Sequence, residues 1–265
     1  MAKRSMAMAE KLWIGTSWKM NKSGEEARRY AQRLAGTQGA KHVQRFIIPP
    51  FPYIREVAEL LEGTDILVGA QNMHWEPSGA WTGEVSAPML ADCGARIVEL
   101  GHSERRTHFN ETDDAVGRKV KAAIDHGLIP LICIGETAAQ KLQGEADHVL
   151  KTQVEAALSF LEDEDFKNPL LFAYEPVWAI GDGGTPAPPD YVRARHARIR
   201  KVAVELSGQP VPCLYGGSVN AANCTELVTC PDVDGLFIGR AAWSVEGYLD
   251  ILSRCAIAEK RKTTA

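Results

Sequence analysis

Eight short apolar runs recur along the chain, each followed by a longer stretch of helical periodicity, and this alternation constrains the fold more than any other feature. The runs are LWIGTS (12–17), QRFIIP (44–49), DILVGA (65–70), ARIVEL (95–100), LIPLICI (128–134), PLLFAY (169–174), VPCLY (211–215) and DGLFIG (234–239). None alternates strictly between apolar and polar, so each reads as a strand buried on both faces, as in a parallel sheet. Between them lie helical stretches such as GEEARRYAQRLA, DDAVGRKVKAAIDHG and PPDYVRARHARIRKVAVEL. The prolines that open the last one suit a helix N-terminus. Eight strand–helix units in 265 residues predict an α/β fold closed into a single-domain (β/α)8 barrel. A doubly wound open sheet is the alternative, but G-x-G-x-x-G does not follow the first run. The barrel is expected over about residues 11–257, with short tails at 1–10 and 258–265.

The composition narrows the class of ligand. A net charge of -4 argues against nucleic acid or an anionic membrane surface as a general partner. An anionic substrate would therefore need a local positive site. The opening MAKRSMAMAEK lacks the apolar core of a secretory signal, and no run reaches the ~18 apolar residues of a membrane span. The six cysteines form no C-x-x-C pair and sit mostly in apolar surroundings, which fits reduced thiols in a cytoplasmic protein.

In a barrel of this kind the chemistry sits where strands end and βα loops begin. Polar residues gather at those points: Ser17 and Lys19, Gln71 and Asn72, His102 and Glu104, Glu136, Glu175, Ser218, and Gly239 with Arg240. Glu175 follows the sixth run among Tyr174, Pro176 and Trp178, an apolar rim that favours a protonated carboxyl and suits proton transfer. The segment Ala179 to Gly184 behind it can hinge as a lid. His102 precedes a short helical turn whose N-terminal partial charge disfavours imidazolium, leaving a neutral hydrogen-bond donor. Lys19 offers a fixed positive charge, and the turns at YGGSVN and IGR offer backbone N–H groups to a phosphate. Taken singly, each also fits a structural role: an ion-paired rim glutamate, a hydrogen-bonded histidine, a solvated lysine, glycines of ordinary tight turns.

Together, SWKMN, VELGHSERR, CIGE, AYEPVWAIG, YGGSV and GLFIG, in this order, resemble the triosephosphate isomerase family over about residues 12–256. That family is also the standard worked example of a glutamate base with a neutral histidine and a closing loop. The resemblance implies Glu175 as base, His102 as electrophile, Lys19 as electrostatic clamp and Glu104 as supporting acid. Gly181, Ser218 and Gly239 would hold phosphate, and no metal or organic cofactor is implied. It also implies that the apolar loop 71–90, with Trp75 and Trp81, docks on a second copy with Thr82 at its tip, giving a homodimer or a tetramer.

The chain departs from the glycolytic pattern at three places. Ser17 stands where the family has an asparagine, the lid tip reads GDGG at Gly181 to Gly184, and Arg240 replaces the second glycine after the eighth strand. These changes resemble the family's erythrulose-phosphate isomerase branch, which interconverts L-erythrulose 1-phosphate and D-erythrulose 4-phosphate in tetritol catabolism. Ser17 would make room for a hydroxymethyl group, and Arg240 would lend a planar, five-donor group to the phosphate. A glycolytic triose phosphate isomerase that has drifted, with Arg240 turned outward, is the alternative. An inactive barrel kept as a binding protein is disfavoured, because the base and the histidine are both present.

Overall fold

A computed structural model describes residues 11–181 and 183–264, with side chains to residue 258. The expected N-terminal tail, residues 1–10, and Asp182 in the lid lie outside the described residues. Eight parallel strands close into a barrel in sequence order: β1 Leu12–Ser17, β2 Val43–Ile48, β3 Leu67–Ala70, β4 Ile97–Leu100, β5 Ile129–Ile134, β6 Leu171–Tyr174, β7 Cys213–Tyr215 and β8 Gly235–Ile238. Each strand falls on one of the apolar runs. The expected helices are present as Gly24–Ala35, Asp113–Asp125 and Pro189–Ser207.

The helix boundaries follow from local chemistry. Ser23 and Glu26 form a reciprocal capping box at the start of Gly24–Ala35. The Thr112 hydroxyl accepts from the Ala115 N–H at the start of Asp113–Asp125. Gly208, at φ 69°, ends Pro189–Ser207 in the left-handed conformation that glycine tolerates. At the C-terminal end the chain differs from expectation. Helix Val245–Thr264 continues past residue 257, where a loose tail was predicted.

Pleating sends alternate side chains to opposite faces, and each face has its own core. Inside the barrel, Trp13, Phe46 and Phe237 pack in sequence, Trp13 edge-on to Phe46 at 6.2 Å and Phe46 stacked on Phe237 at 5.9 Å. Gly15 makes this layer possible, since a Cβ there would lie 2.1 Å from the Phe46 ring. Ile97, Leu131, Cys133, Leu171, Ala173 and Leu214 share this interior. The outward faces of the strands pack against the helices, and the Tyr248 hydroxyl donates 2.8 Å to the Ile14 carbonyl to pin the last helix onto β1. Among the described residues, no helix is long and apolar enough to cross a membrane.

Candidate active site

Glu175, His102 and Lys19 reach the barrel mouth from three different strands, and the backbone at each position explains how. The chain leaves β1 through Lys19 at φ 51°, a left-handed conformation unusual for a side-chain-bearing residue. Gln71 stabilises it, its amide donating 2.8 Å to the Lys19 carbonyl. Lys19 Nζ then lies 2.6 Å from Glu104 Oε1. His102 caps the turn Ser103–His108, its Nδ1 accepting from the Glu104 N–H at 3.1 Å. Only an unprotonated Nδ1 can accept that bond, so the imidazole presents Nε2–H to the cavity.

Glu175 continues β6, its N–H donating 2.8 Å to the Ile134 carbonyl. Two glycines make room for it. A Cβ on Gly135 would lie 1.9 Å from the Glu175 carbonyl oxygen, and one on Gly216 would lie 2.7 Å from its Cγ. Glu175 Oε2 faces His102 Nε2 across 3.5 Å, buried and without a hydrogen-bond partner among the described residues. A carboxylate, a neutral N–H donor and an ammonium thus converge on one cavity, the set needed to move a proton beside a carbonyl.

The charges around these groups are tightly linked. Burial works against the Lys19 ammonium, but the bond to Glu104 and the nearby Glu175 and Glu99 carboxylates outweigh it and hold its pKa above the usual lysine range. Partial burial would raise the Glu104 carboxyl, yet Lys19 and His102 bring it below the ordinary carboxylate range. Glu99, on β4, is different. Burial pushes it up to about 7, with His102, Ser17 and Lys19 opposing the rise and Glu175 adding to it. Sequence reading passes over Glu99, although an acid inside the run ARIVEL was a signal.

Gly181, Ser218, Gly239 and Arg240 line the same cavity of about 690 Å³ as Ser17, Lys19, His102, Glu104 and Glu175. Arg240 is exposed at the mouth and opens the turn Arg240–Ala242. Ile180, Phe237 and Trp243 add apolar surface that sequence reading did not single out. The segment from Ala179 toward Gly184 is anchored at its base. Buried Glu136 accepts from Trp178 Nε1 at 2.8 Å and from the Tyr191 hydroxyl at 2.9 Å, while the Ser218 hydroxyl donates 2.7 Å to the Ala179 carbonyl. Beyond that base the chain passes through Gly181 at φ 80° and Gly183 at φ 87°, the conformational freedom a closing segment needs.

The sequence profile of triosephosphate isomerase matches residues 12–255, nearly the whole length of the barrel. The chain belongs to the triosephosphate isomerase family. Relatives within reach of this family carry a more specific name. A Brucella abortus protein named L-erythrulose-1-phosphate isomerase is 60% identical over 93% of this chain and 97% of its own. One of the same name from Rhizobium meliloti is 61% identical over 93% and 98%, and one from Mesorhizobium japonicum 58% identical over 93% and 98%. The match to triosephosphate isomerase thus spans β1 to β8 and every strand end that supplies a cavity residue.

Proposed function

We propose that this member of the family interconverts L-erythrulose 1-phosphate and D-erythrulose 4-phosphate through an enediol. The single observation that carries this reading is Ser17: it lines the cavity beside Lys19 and His102 where the family's asparagine would stand. The names of relatives about 60% identical support it. Glu175 takes the proton from C3, next to the C2 carbonyl. His102 Nε2–H and Lys19 stabilise the negative charge that develops on the carbonyl oxygen. Glu175 then returns the proton to C2 while the C3 hydroxyl proton passes to the oxygen on C2, leaving the carbonyl on C3. Glu104 holds the Lys19 ammonium in place and touches no reacting atom. Gly181, Ser218, Gly239 and Arg240 bind the phosphate, and closure of the lid over the intermediate keeps water out.

The tetrulose differs from the triose by a hydroxymethyl group in place of an aldehyde hydrogen, so the two substrates report directly on Ser17. Ser17→Asn is expected to lower kcat/KM for L-erythrulose 1-phosphate by roughly 5- to 150-fold, the effect of ~1–3 kcal/mol of crowding. Glyceraldehyde 3-phosphate leaves that space empty and should lose less. An equal loss on both substrates would contradict the role of Ser17.

The chain is further proposed to act in the cytoplasm as a homodimer. Met20 after β1, Phe51 after β2, Trp81 and Met89 after β3, and Phe109 after β4 expose apolar surface along one flank of the mouth, Met20 at 95% and Trp81 at 49%. Such a flank fits an interface between copies. Within the loop, Trp75 packs against its own barrel, and His74 stacks on Trp75 and lies tilted against Trp81, at 4.3 Å from each. Thr82 beside them is exposed. Light scattering at micromolar concentration should give twice the chain mass, and Trp81→Asp should shift it toward the monomer. A monomeric mass for the unaltered protein would contradict the dimer.

A further inference from the structure

Glu99 sits where a barrel interior has least tolerance for charge. It lies on β4 opposite Leu131 of β5, and its pleat turns it into the same interior as Ile97, Leu131, Cys133, Ala173 and Phe237. It is 3% exposed, and its Oε2 makes no hydrogen bond among the described residues. Ser17, also 3% exposed, lines the cavity above it; its buried Oγ has no partner within hydrogen-bond distance among the described residues, yet its hydroxyl is close enough to Glu99 to oppose the rise of that carboxyl. Leaving such groups incompletely satisfied is unfavourable, and a polar ligand atom that bonds to both removes the penalty.

The topology indicates which ligand atom that is. The proposed phosphate donors follow β6, β7 and β8, and β4 lies across the closed barrel from β8. A substrate anchored by its phosphate on that side therefore extends its far end toward β4. In a tetrulose phosphate the far end is the hydroxymethyl group, the one feature a triose phosphate lacks. We infer that Glu99 and Ser17 form a polar floor that hydrogen-bonds the terminal hydroxyl of the four-carbon substrate, making Glu99 a specificity-determining residue. At neutral pH its carboxyl is divided between its two protonation states, so it can accept from that hydroxyl or donate to it.

The inference rests on the tetrulose reading, and the test separates the two. L-Erythrulose 1-phosphate is compared with its 4-deoxy analogue, which keeps the carbon skeleton but ends in a methyl group. The unaltered enzyme is expected to favour the hydroxylated substrate in kcat/KM by roughly 10- to 150-fold, the worth of a hydrogen bond to a charged group. Glu99→Leu should lose that preference by slowing the hydroxylated substrate alone, bringing the ratio near unity. Glu99→Gln, an isostere that does not strain the interior, should shift the ratio the same way by a smaller factor. A ratio unchanged in both variants of a tetrulose-active enzyme would overturn the role of Glu99 alone. Activity on glyceraldehyde 3-phosphate with none on either four-carbon phosphate would overturn the tetrulose reading and this inference with it.

Discussion

Glu175→Gln is expected to lower kcat on L-erythrulose 1-phosphate by roughly 10²- to 10⁴-fold, the range contributed by a positioned general base. Glutamine keeps the shape of the side chain, so the contacts of β6 and the bond from the Glu175 N–H to Ile134 survive. What disappears is the buried Oε2 acceptor that faces His102 Nε2 across 3.5 Å. KM should change little, because glutamine leaves the proposed phosphate contacts in place. Glu175→Asp keeps the charge and withdraws the carboxylate by about one methylene, and a ~1 Å displacement of a reacting group can cost ~10²-fold. Steady-state kinetics beside thermal melting separate these effects from misfolding. Full turnover in a correctly folded Glu175→Asp or Glu175→Gln protein would contradict the assignment of the base.

A second large effect is expected at a residue that has no functional group at all. A Cβ on Gly216 would lie 2.7 Å from Glu175 Cγ and 2.9 Å from Oε1, closer than real Cβ contacts come. Gly216 N–H donates 2.8 Å to the Tyr174 carbonyl, which fixes the backbone of β7 against β6 and leaves the Glu175 side chain as the part that must yield. Gly216→Ala should therefore displace the base and reduce kcat by about 10²-fold, with a much smaller effect on melting temperature. The diagnostic feature is the split between the two measurements. A variant that keeps its kcat, or loses activity only as far as it loses folded protein, would show that the base tolerates the crowding.

These two residues also mark how far sequence reading reaches and where it stops. Glu175 stood out because it follows a buried strand at the mouth; taken alone it also fits an ion-paired rim glutamate, and the family resemblance of AYEPVWAIG is what made it the expected base. The eight strands were legible because burial on both faces leaves unbroken apolar runs. Strand edges were less so. The run VPCLY begins two residues before β7 because Pro212 has no N–H to give, although its carbonyl accepts from Phe172 N–H at 2.9 Å. The run DILVGA begins before β3, where the Asp65 carboxylate is held by buried Arg45. Gly216 and Glu99 were not legible as site residues. The role of Gly216 is an absence of volume, which only the approach of Glu175 defines. That of Glu99 depends on which way the pleat turns, and an apolar run does not say which face looks inward. The loop 71–90 fell between these cases, since its aromatics announced an apolar surface but not that His74 would fold Trp75 back onto the barrel.

The central claim is proton transfer through an enediol on a four-carbon sugar phosphate. Its most direct test is to incubate the enzyme with L-erythrulose 1-phosphate in deuterium oxide and follow conversion by nuclear magnetic resonance, with glyceraldehyde 3-phosphate run in parallel. The account predicts D-erythrulose 4-phosphate carrying solvent deuterium at its new carbinol carbon, formed with a higher kcat/KM than the triose reaction. Rapid isomerisation of glyceraldehyde 3-phosphate, with the tetrulose phosphate neither converted nor exchanged, would contradict it.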